Sequence, residues 1–235
     1  GKVCSHTLFT EIVSLDNLYS AWLEFRRGKR KKKDVQDFEF NLEDNLFQLC
    51  EELMSGRYRH SPYASFYVKD PKLRHIHKAL VRDRVVHQAV FRVLHHIFDR
   101  SFIFDSYSCR LGKGTHRAVY RLEAFARKSS ENYTRKIFVL KCDIWKFFDS
   151  IDHEVLLGLI RKKICDTDTL RLLWEIVRSF ETTPRMGLPL GSVTSQLFAN
   201  IYLHELDQFV KHSLRVPYYV RYCDDFVMLG RDRDW

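Results

Sequence analysis

Long apolar runs, closely spaced cysteines and flexible linkers are what this sequence lacks. No apolar stretch reaches the ~18 residues of a membrane span, and no signal-peptide core opens the chain, so a cytoplasmic protein is expected. The six cysteines, Cys4, Cys50, Cys109, Cys142, Cys165 and Cys223, lie at least 23 residues apart with no Cys-x-x-Cys. That spacing argues against a zinc module and a small disulfide scaffold, and it fits a reducing compartment. Only nine glycines and five prolines are present, with no Gly/Ser/Pro linker and no internal repeat. A chain of 235 residues then forms one large domain or two intimately packed subdomains.

What the chain does have is positive charge: 39 Lys+Arg against 30 Asp+Glu, a formal net charge of +9. A polyanionic partner follows, nucleic acid or an anionic membrane. The densest run is Arg26-Arg27-Gly28-Lys29-Arg30-Lys31-Lys32-Lys33, which serves equally as a solvated loop or as a phosphate-backbone contact. Before it, the apolar residues between Leu8 and Phe25 suit one or two short helices. After it, Leu42, Leu46, Leu49 and Leu53 recur at helical spacing, with Asn41 placed to cap the helix and Gly56 to stop it.

Tyr63 to Val68 reads as a strand and Lys69 to Arg74 as a turn, with basic side chains on both sides. Lys69 and Arg74 could reach a triphosphate or a template phosphate, or simply decorate a surface hairpin. A longer helix opens at Arg82-Asp83-Arg84-Val85-Val86-His87-Gln88, its apolar face running from Val86 to Phe98. Its histidines, His87, His95 and His96, lack the carboxylate or cysteine partners of a metal site and read as surface or satisfied interior groups. Arg110, Lys113 and two glycines form a basic loop before a helix expected to be capped by Thr115. Val155, Leu156, Leu159 and Ile160 mark one further helix, and Leu173, Ile176, Val177 and Phe180 the next.

Two stretches carry the chemistry. Ile137 to Cys142 has the pattern of a buried strand and delivers Asp143 at its end. Tyr218 to Leu229 places two β-rich runs around Cys223-Asp224-Asp225, a hairpin with adjacent carboxylates at its tip. Two such charges about 4 Å apart repel by roughly 4 kcal/mol at an effective dielectric near 20, which a divalent cation would remove. An acidic turn is the plain alternative for Asp-Asp alone. A strand-end Asp about 80 residues earlier changes the weighing, because one sheet can bring all three together. Three carboxylates suit Mg²⁺. Between them, Met186 to Gln196 is a glycine-bearing, hydroxyl-rich loop leading into a helix, where backbone can approach a ligand closely.

In this order, basic hairpin, Asp143, glycine loop with Ser195-Gln196, then Tyr222-Cys223-Asp224-Asp225, the chain resembles the fingers and palm of reverse transcriptases from about Gly56 onward. Arg82 to Gln88 and Phe147 to His153 look like the bacterial branch shared by group II intron enzymes and diversity-generating retroelements. Most of the family has Gln before the loop glycine and Ser-Pro at its end. Here Leu190 and Ser195-Gln196 stand there, a form similar to the diversity-generating type, whose enzymes copy template RNA with frequent errors at adenines.

The resemblance implies an α+β fold: an antiparallel palm sheet backed by helices, with mostly helical fingers. Expected segments are fingers at 1–136, palm at 137–152, a helical insertion at 153–186 and palm again at 187–235. It implies an RNA-directed DNA polymerase in which Asp143, Asp224 and Asp225, with the carbonyl of Ile144, hold two Mg²⁺ ions, Mn²⁺ substituting. Phe148 would exclude a ribose 2′-hydroxyl, while Lys69, Arg74, Leu190, Gly191 and Gln196 would contact the nucleotide. Arg110, Lys113 and Tyr222 would serve the nucleic acid. Implied partners are template RNA, a DNA or RNA primer, deoxynucleotides and a basic accessory protein, with no membrane. The family continues past its Asp pair into more palm and a helical thumb, so a fragment without a thumb and with weak processivity is expected. Other readings that fit are a group II intron enzyme, an untemplated polymerase and an RNA-binding relative on the same fold.

Overall fold

The computed structural model describes residues 7–69 and 73–232. The chain divides into two compact units, one made of residues 1–97 and 148–197, the other of 98–147 and 198–235. These divisions differ from the segment boundaries expected at 136, 152 and 186, because each unit is assembled from two separate stretches of chain.

The first unit is mostly helical. Helices α1 (Thr7–Val13), α2 (Leu15–Phe25), α3 (Lys33–Phe40) and α4 (Leu42–Met54) come first, and Leu8, Ile12, Leu18, Trp22, Val35, Leu46, Leu49 and Leu53 form their buried face. Asn41 occupies the expected position before α4, but its side chain makes no capping bond. Gly56 does end the helix, at φ +70°. Strands β1 (Ala64–Lys69) and β2 (Leu73–Lys78) form an antiparallel hairpin in which Val68 pairs with Arg74 and Lys69 with Leu73. Lys69 and Arg74 are therefore strand residues, and Asp70 to Lys72 lie outside the described residues. Helix α5 (Val81–Asp99) follows, with Val85, Val86, Ala89, Val90 and Leu94 buried.

Later in this unit come α7 (His153–Arg161) and α8 (Thr167–Arg178). Asp152 caps α7 by accepting from Val155 N–H at 2.9 Å. Val155 itself is exposed, and Leu156, Leu157 and Ile160 hold the buried face. Helix α9 (Val193–Gln208) begins in the first unit and continues into the second.

The second unit is built on a three-stranded antiparallel sheet of order β3-β5-β4, from β3 (Phe138–Asp143), β4 (Tyr218–Tyr222) and β5 (Asp225–Gly230). Alternation along the strands gives each face its own core. Val220, Leu229, Tyr218 and Val227 pack against Ala118, Leu122 and Phe125 of α6 (Thr115–Ser129). Tyr219, Phe226, Met228 and Cys142 pack with Leu206 and Val210. Strand β3 is not the buried strand its apolar run predicts: it lies at the sheet edge, leaving Val139 59% and Leu140 49% exposed. Nor does Thr115 cap α6. Gly114, at φ +121°, holds that position, and the Thr115 hydroxyl donates to the Tyr222 hydroxyl at 3.2 Å. Cys50, Cys109, Cys142 and Cys223 are free thiols, whereas Cys165 is disulfide-bonded, which the expectation of a fully reduced chain did not include.

Candidate metal centre and its surroundings

The site grows out of the β4–β5 turn. Tyr222 pairs with Asp225, so only Cys223 and Asp224 lie between the strands. So tight a loop needs a residue at positive φ, and Cys223 supplies it at +56°. On the other side of β5, Asp143 pairs with Asp225, which puts those two carboxylates on one face of the sheet as cross-strand neighbours. The Ile144 N–H donates to the Asp224 carbonyl at 3.3 Å, tying the end of β3 to the turn. One carboxylate oxygen from each of Asp143, Asp224 and Asp225 then lies within 4.8 Å of the others.

Electrostatics at this cluster are unfavourable without a counter-ion. Burial raises the Asp224 carboxyl above its ordinary value, and the charges of Asp143 and Asp225 push it further. Burial also pushes the Cys223 thiol up to about 12, so it stays protonated and offers no thiolate. The usable donors are oxygens alone, a set that fits a hard divalent cation and not a soft one.

The other expected site residues divide by unit. Tyr222, 38% exposed, sits beside the carboxylates on β4. Arg110 is used up inside its own loop: Nε donates to Asp99 at 2.6 Å, and Nη1 to the Ile103 and Ser106 carbonyls at 2.7 and 2.9 Å. Its side chain is 7% exposed, so the expected nucleic-acid contact is not available to it. Lys113 donates to the Phe104 carbonyl at 2.7 Å and lies 3.4 Å from the centre of the Phe104 ring. Lys69, Arg74, Phe148, Leu190, Gly191 and Gln196 belong to the first unit. Phe148 opens a short 3₁₀ turn, and its carbonyl accepts from Leu188 N–H at 2.8 Å.

Within that unit the glycine loop borders a cavity of about 300 Å³ lined by Lys29, Lys32, Lys78, Arg84, Phe66 and Ser192. Arg84 stacks 4.5 Å over Phe25, and its Nη1 is buried with no hydrogen-bond partner. Burial, then the neighbouring Arg84 and Lys32 charges, holds the Lys29 amine below its usual value. Glu24 lines the cavity as well and Lys78 is paired with Asp34, so Lys29, Lys32 and Arg84 carry the positive charge that favours an anion there. Sequence reading missed this cavity, because it takes two residues of the basic run, one strand residue and one helix residue that are adjacent only in the fold.

A relay through the buried His87 reaches the loop. His60 Nδ1 lies 2.6 Å from the Ser61 carbonyl, His60 Nε2 lies 2.9 Å from His87 Nε2, and His87 Nδ1 lies 3.0 Å from Ser192 Oγ. The expectation that His87 is a satisfied interior histidine is met.

Three carboxylates thus converge across a hairpin and an edge strand of one antiparallel sheet. Residues 68–234, well over half of the chain, match the reverse transcriptase (RNA-dependent DNA polymerase) family. The chain belongs to that family, and within it is related to the group II intron reverse transcriptases. It is 29% identical to Protein YkfC of Escherichia coli over 170 residues, covering 69% of this chain and 44% of that protein. It is 28% identical to the group II intron-encoded protein LtrA of Lactococcus lactis over 209 residues, covering 84% of this chain and 33% of LtrA. The chain thus spans less than half the length of these relatives. A solved structure, a partial Cas6-RT-Cas1–Cas2 complex, shares the fold with TM-score 0.52 and 22% identity, covering 96% of this chain and 38% of that one.

Proposed function

We propose that this chain forms the fingers and palm of an RNA-directed DNA polymerase that adds deoxynucleotides to a primer 3′-hydroxyl. The observation that carries the reading is the convergence of Asp143, Asp224 and Asp225 within 4.8 Å. These carboxylates, with the Ile144 carbonyl, would hold Mg²⁺, or Mn²⁺ in its place. When bound, the ions supply activation of the 3′-hydroxyl and charge neutralisation at the pyrophosphate leaving group. The protein's own part is positional. The β4–β5 turn and the end of β3 hold the carboxylates together, and Phe148 would stand against a ribose 2′-hydroxyl. Lys69 and Arg74, on the two strands of the basic hairpin, would neutralise the incoming triphosphate. The cation-lined cavity beside Gly191 would accept phosphate of the template or nucleotide.

The subtype we favour is the error-prone enzyme of a diversity-generating retroelement. Its support is Leu190 before the loop glycine and Ser195-Gln196 at the loop's end. A group II intron enzyme is the second reading, favoured by the likeness to LtrA. Protein partners fit either reading; a basic accessory protein is the one we expect.

The test is Mg²⁺-dependent extension of a DNA primer on a defined RNA template by the full-length protein and by Asp224→Ala, with product sequencing. Templated DNA that disappears in the variant is expected, with excess errors opposite adenines. Evenly distributed errors would favour the intron-type reading. Products unrelated to the template would replace this reading with an untemplated polymerase, and a folded, RNA-binding protein making no DNA would replace it with a binding module.

A further inference from the structure

Behind the carboxylate hairpin lies a charged side chain with no exposure at all. Arg221 is the residue before Tyr222 on β4, so it faces away from Asp143 and Asp225, into the interior of the second unit. Its side chain and that of Asp207 on α9 are both fully buried. They form a two-pronged pair, Nε to Asp207 Oδ1 at 2.7 Å and Nη2 to Oδ2 at 2.6 Å. The Tyr219 hydroxyl donates to Asp207 Oδ1 at 2.8 Å. The remaining nitrogen, Nη1, donates to Asn200 Oδ1 at 3.2 Å and to the Cys223 carbonyl at 3.0 Å. Asn200 is itself fixed, its amide donating to the Ser108 carbonyl at 3.0 Å. The backbone of Arg221 is pinned as well, by the Asp105 carbonyl at 2.9 Å and the Tyr107 N–H at 3.0 Å.

Stability alone does not account for this network. A buried ion pair is seldom more stable than apolar side chains of the same volume, and this one takes space on a face otherwise packed by Tyr219, Phe226, Met228 and Cys142. What an apolar side chain cannot supply is the bond from Nη1 to the Cys223 carbonyl. That carbonyl belongs to the peptide joining Cys223 to Asp224, inside a two-residue turn whose first residue is held at φ +56°. Fixing that peptide plane fixes the direction in which Asp224 leaves the turn. Because Asp207 and Asn200 sit two helical turns apart on one face of α9, the guanidinium is held at both ends and transmits the rigidity of a helix to the turn.

We infer that Arg221, locked by Asp207 and Asn200, is a positioning residue that orients Asp224 so that the three carboxylates converge before any cation arrives. This rests on the metal-dependent reading of the site given above. Support for a ligand from behind is a general feature of metal centres, and its loss weakens metal affinity by roughly 10- to 100-fold.

The decisive variant is Arg221→Met/Asp207→Leu/Tyr219→Phe, which removes the whole buried charge network and fills the space with apolar atoms. Mn²⁺ is the probe, titrated into the full-length protein and followed by electron paramagnetic resonance, with circular dichroism melting as the check on folding. Primer extension supplies kcat and the KM for deoxynucleotide. The variant is expected to fold and to bind Mn²⁺ at least about tenfold more weakly, with kcat reduced and KM little changed. Arg221→Lys keeps the charge pair but loses the fork, and is expected to show the same weakening. It decides the matter if the triple variant does not fold. A folded variant that binds Mn²⁺ within about twofold of wild type overturns the inference while leaving the polymerase reading intact. If wild type binds no Mn²⁺ that Asp224→Ala abolishes, the metal-site reading falls and this inference with it.

Discussion

His87 has only one tautomer open to it. The Ser61 carbonyl can only accept, so His60 carries its proton on Nδ1 and presents a lone pair at Nε2. His87 therefore donates from Nε2 and accepts at Nδ1 from the Ser192 hydroxyl, whose oxygen lies 2.8 Å from Thr194 Oγ1. Burial lowers the His87 imidazole to about 3, and the Arg84 charge adds to it. An unfolded chain takes up this proton near 6.5, so between about 6.5 and 3 the unfolded state binds more protons and stability falls as the solution is acidified. Urea unfolding at pH 7.5 and pH 5 should show a steeper acid loss for wild type than for His87→Gln; equal losses would remove His87 from the account. Leu190 makes a second prediction at this scale. An apolar side chain cannot hydrogen-bond a nucleotide sugar, so Leu190→Gln is expected to lower misincorporation in sequenced products. An unchanged error rate would show that the missing hydrogen bond at Leu190 does not loosen the held nucleotide. The convergence of Asp143, Asp224 and Asp225 was legible residue by residue, because a strand-end Asp and a hairpin-tip Asp pair can meet on one sheet, and they do lie within 4.8 Å. Arg221 was not legible: on the chain it is one more base in a basic protein, and only burial reveals it.

At the scale of elements, backbone conformation separates two loop glycines that look alike in sequence. Gly187 has φ +101°, and a Cβ there would meet Thr182 Oγ1 at 2.5 Å and the Thr182 backbone nitrogen at 3.1 Å. Gly191 has φ +95° but only the Ile76 methyl nearby, at 3.8 Å. Gly187→Ala is expected to cost about 2–3 kcal/mol, from strain plus displacement of a Thr182 hydroxyl that bonds the Asp149 carbonyl. Gly191→Ala should cost about 1 kcal/mol, from backbone strain alone. Chemical denaturation of both variants checks the ranking, and a reversed order would contradict the loop geometry. Periodicity found the helices with long apolar stripes, α4, α5 and α8, and two runs of β-branched and aromatic residues around a tight turn marked the carboxylate hairpin. It missed α3, whose Lys33 to Phe40 segment has a single buried residue, Val35, and so almost no stripe to read. It also misjudged β3, because an apolar run cannot say whether a strand is central or at an edge.

Over the whole molecule, charge is distributed unevenly. Seven of the Lys and Arg residues fall within Arg26 to Lys33, while the next stretch, Asp34 to Gly56, has seven acids and no base. Some of these charges neutralise one another, as Arg26 does with Glu39 and Lys78 with Asp34. Arg27, Arg30 and Lys31 remain exposed on the run. The sequence alone left this run open between a solvated loop and a phosphate contact, and the fold narrows the choice by turning Lys29 and Lys32 toward the cavity beside Gly191. A polymerase reading requires template–primer binding that weakens steeply with salt, because each phosphate contact releases counter-ions. Fluorescence anisotropy with a labelled RNA–DNA duplex, between about 50 and 200 mM salt, gives the slope of log affinity against log salt. If the run lies along the duplex backbone, Arg27→Gln/Arg30→Gln/Lys31→Gln should reduce that slope by roughly 2–3 and weaken binding alike on every sequence. An unchanged slope assigns the run to solvent and leaves the cavity cations to carry the contact with nucleic acid in this unit.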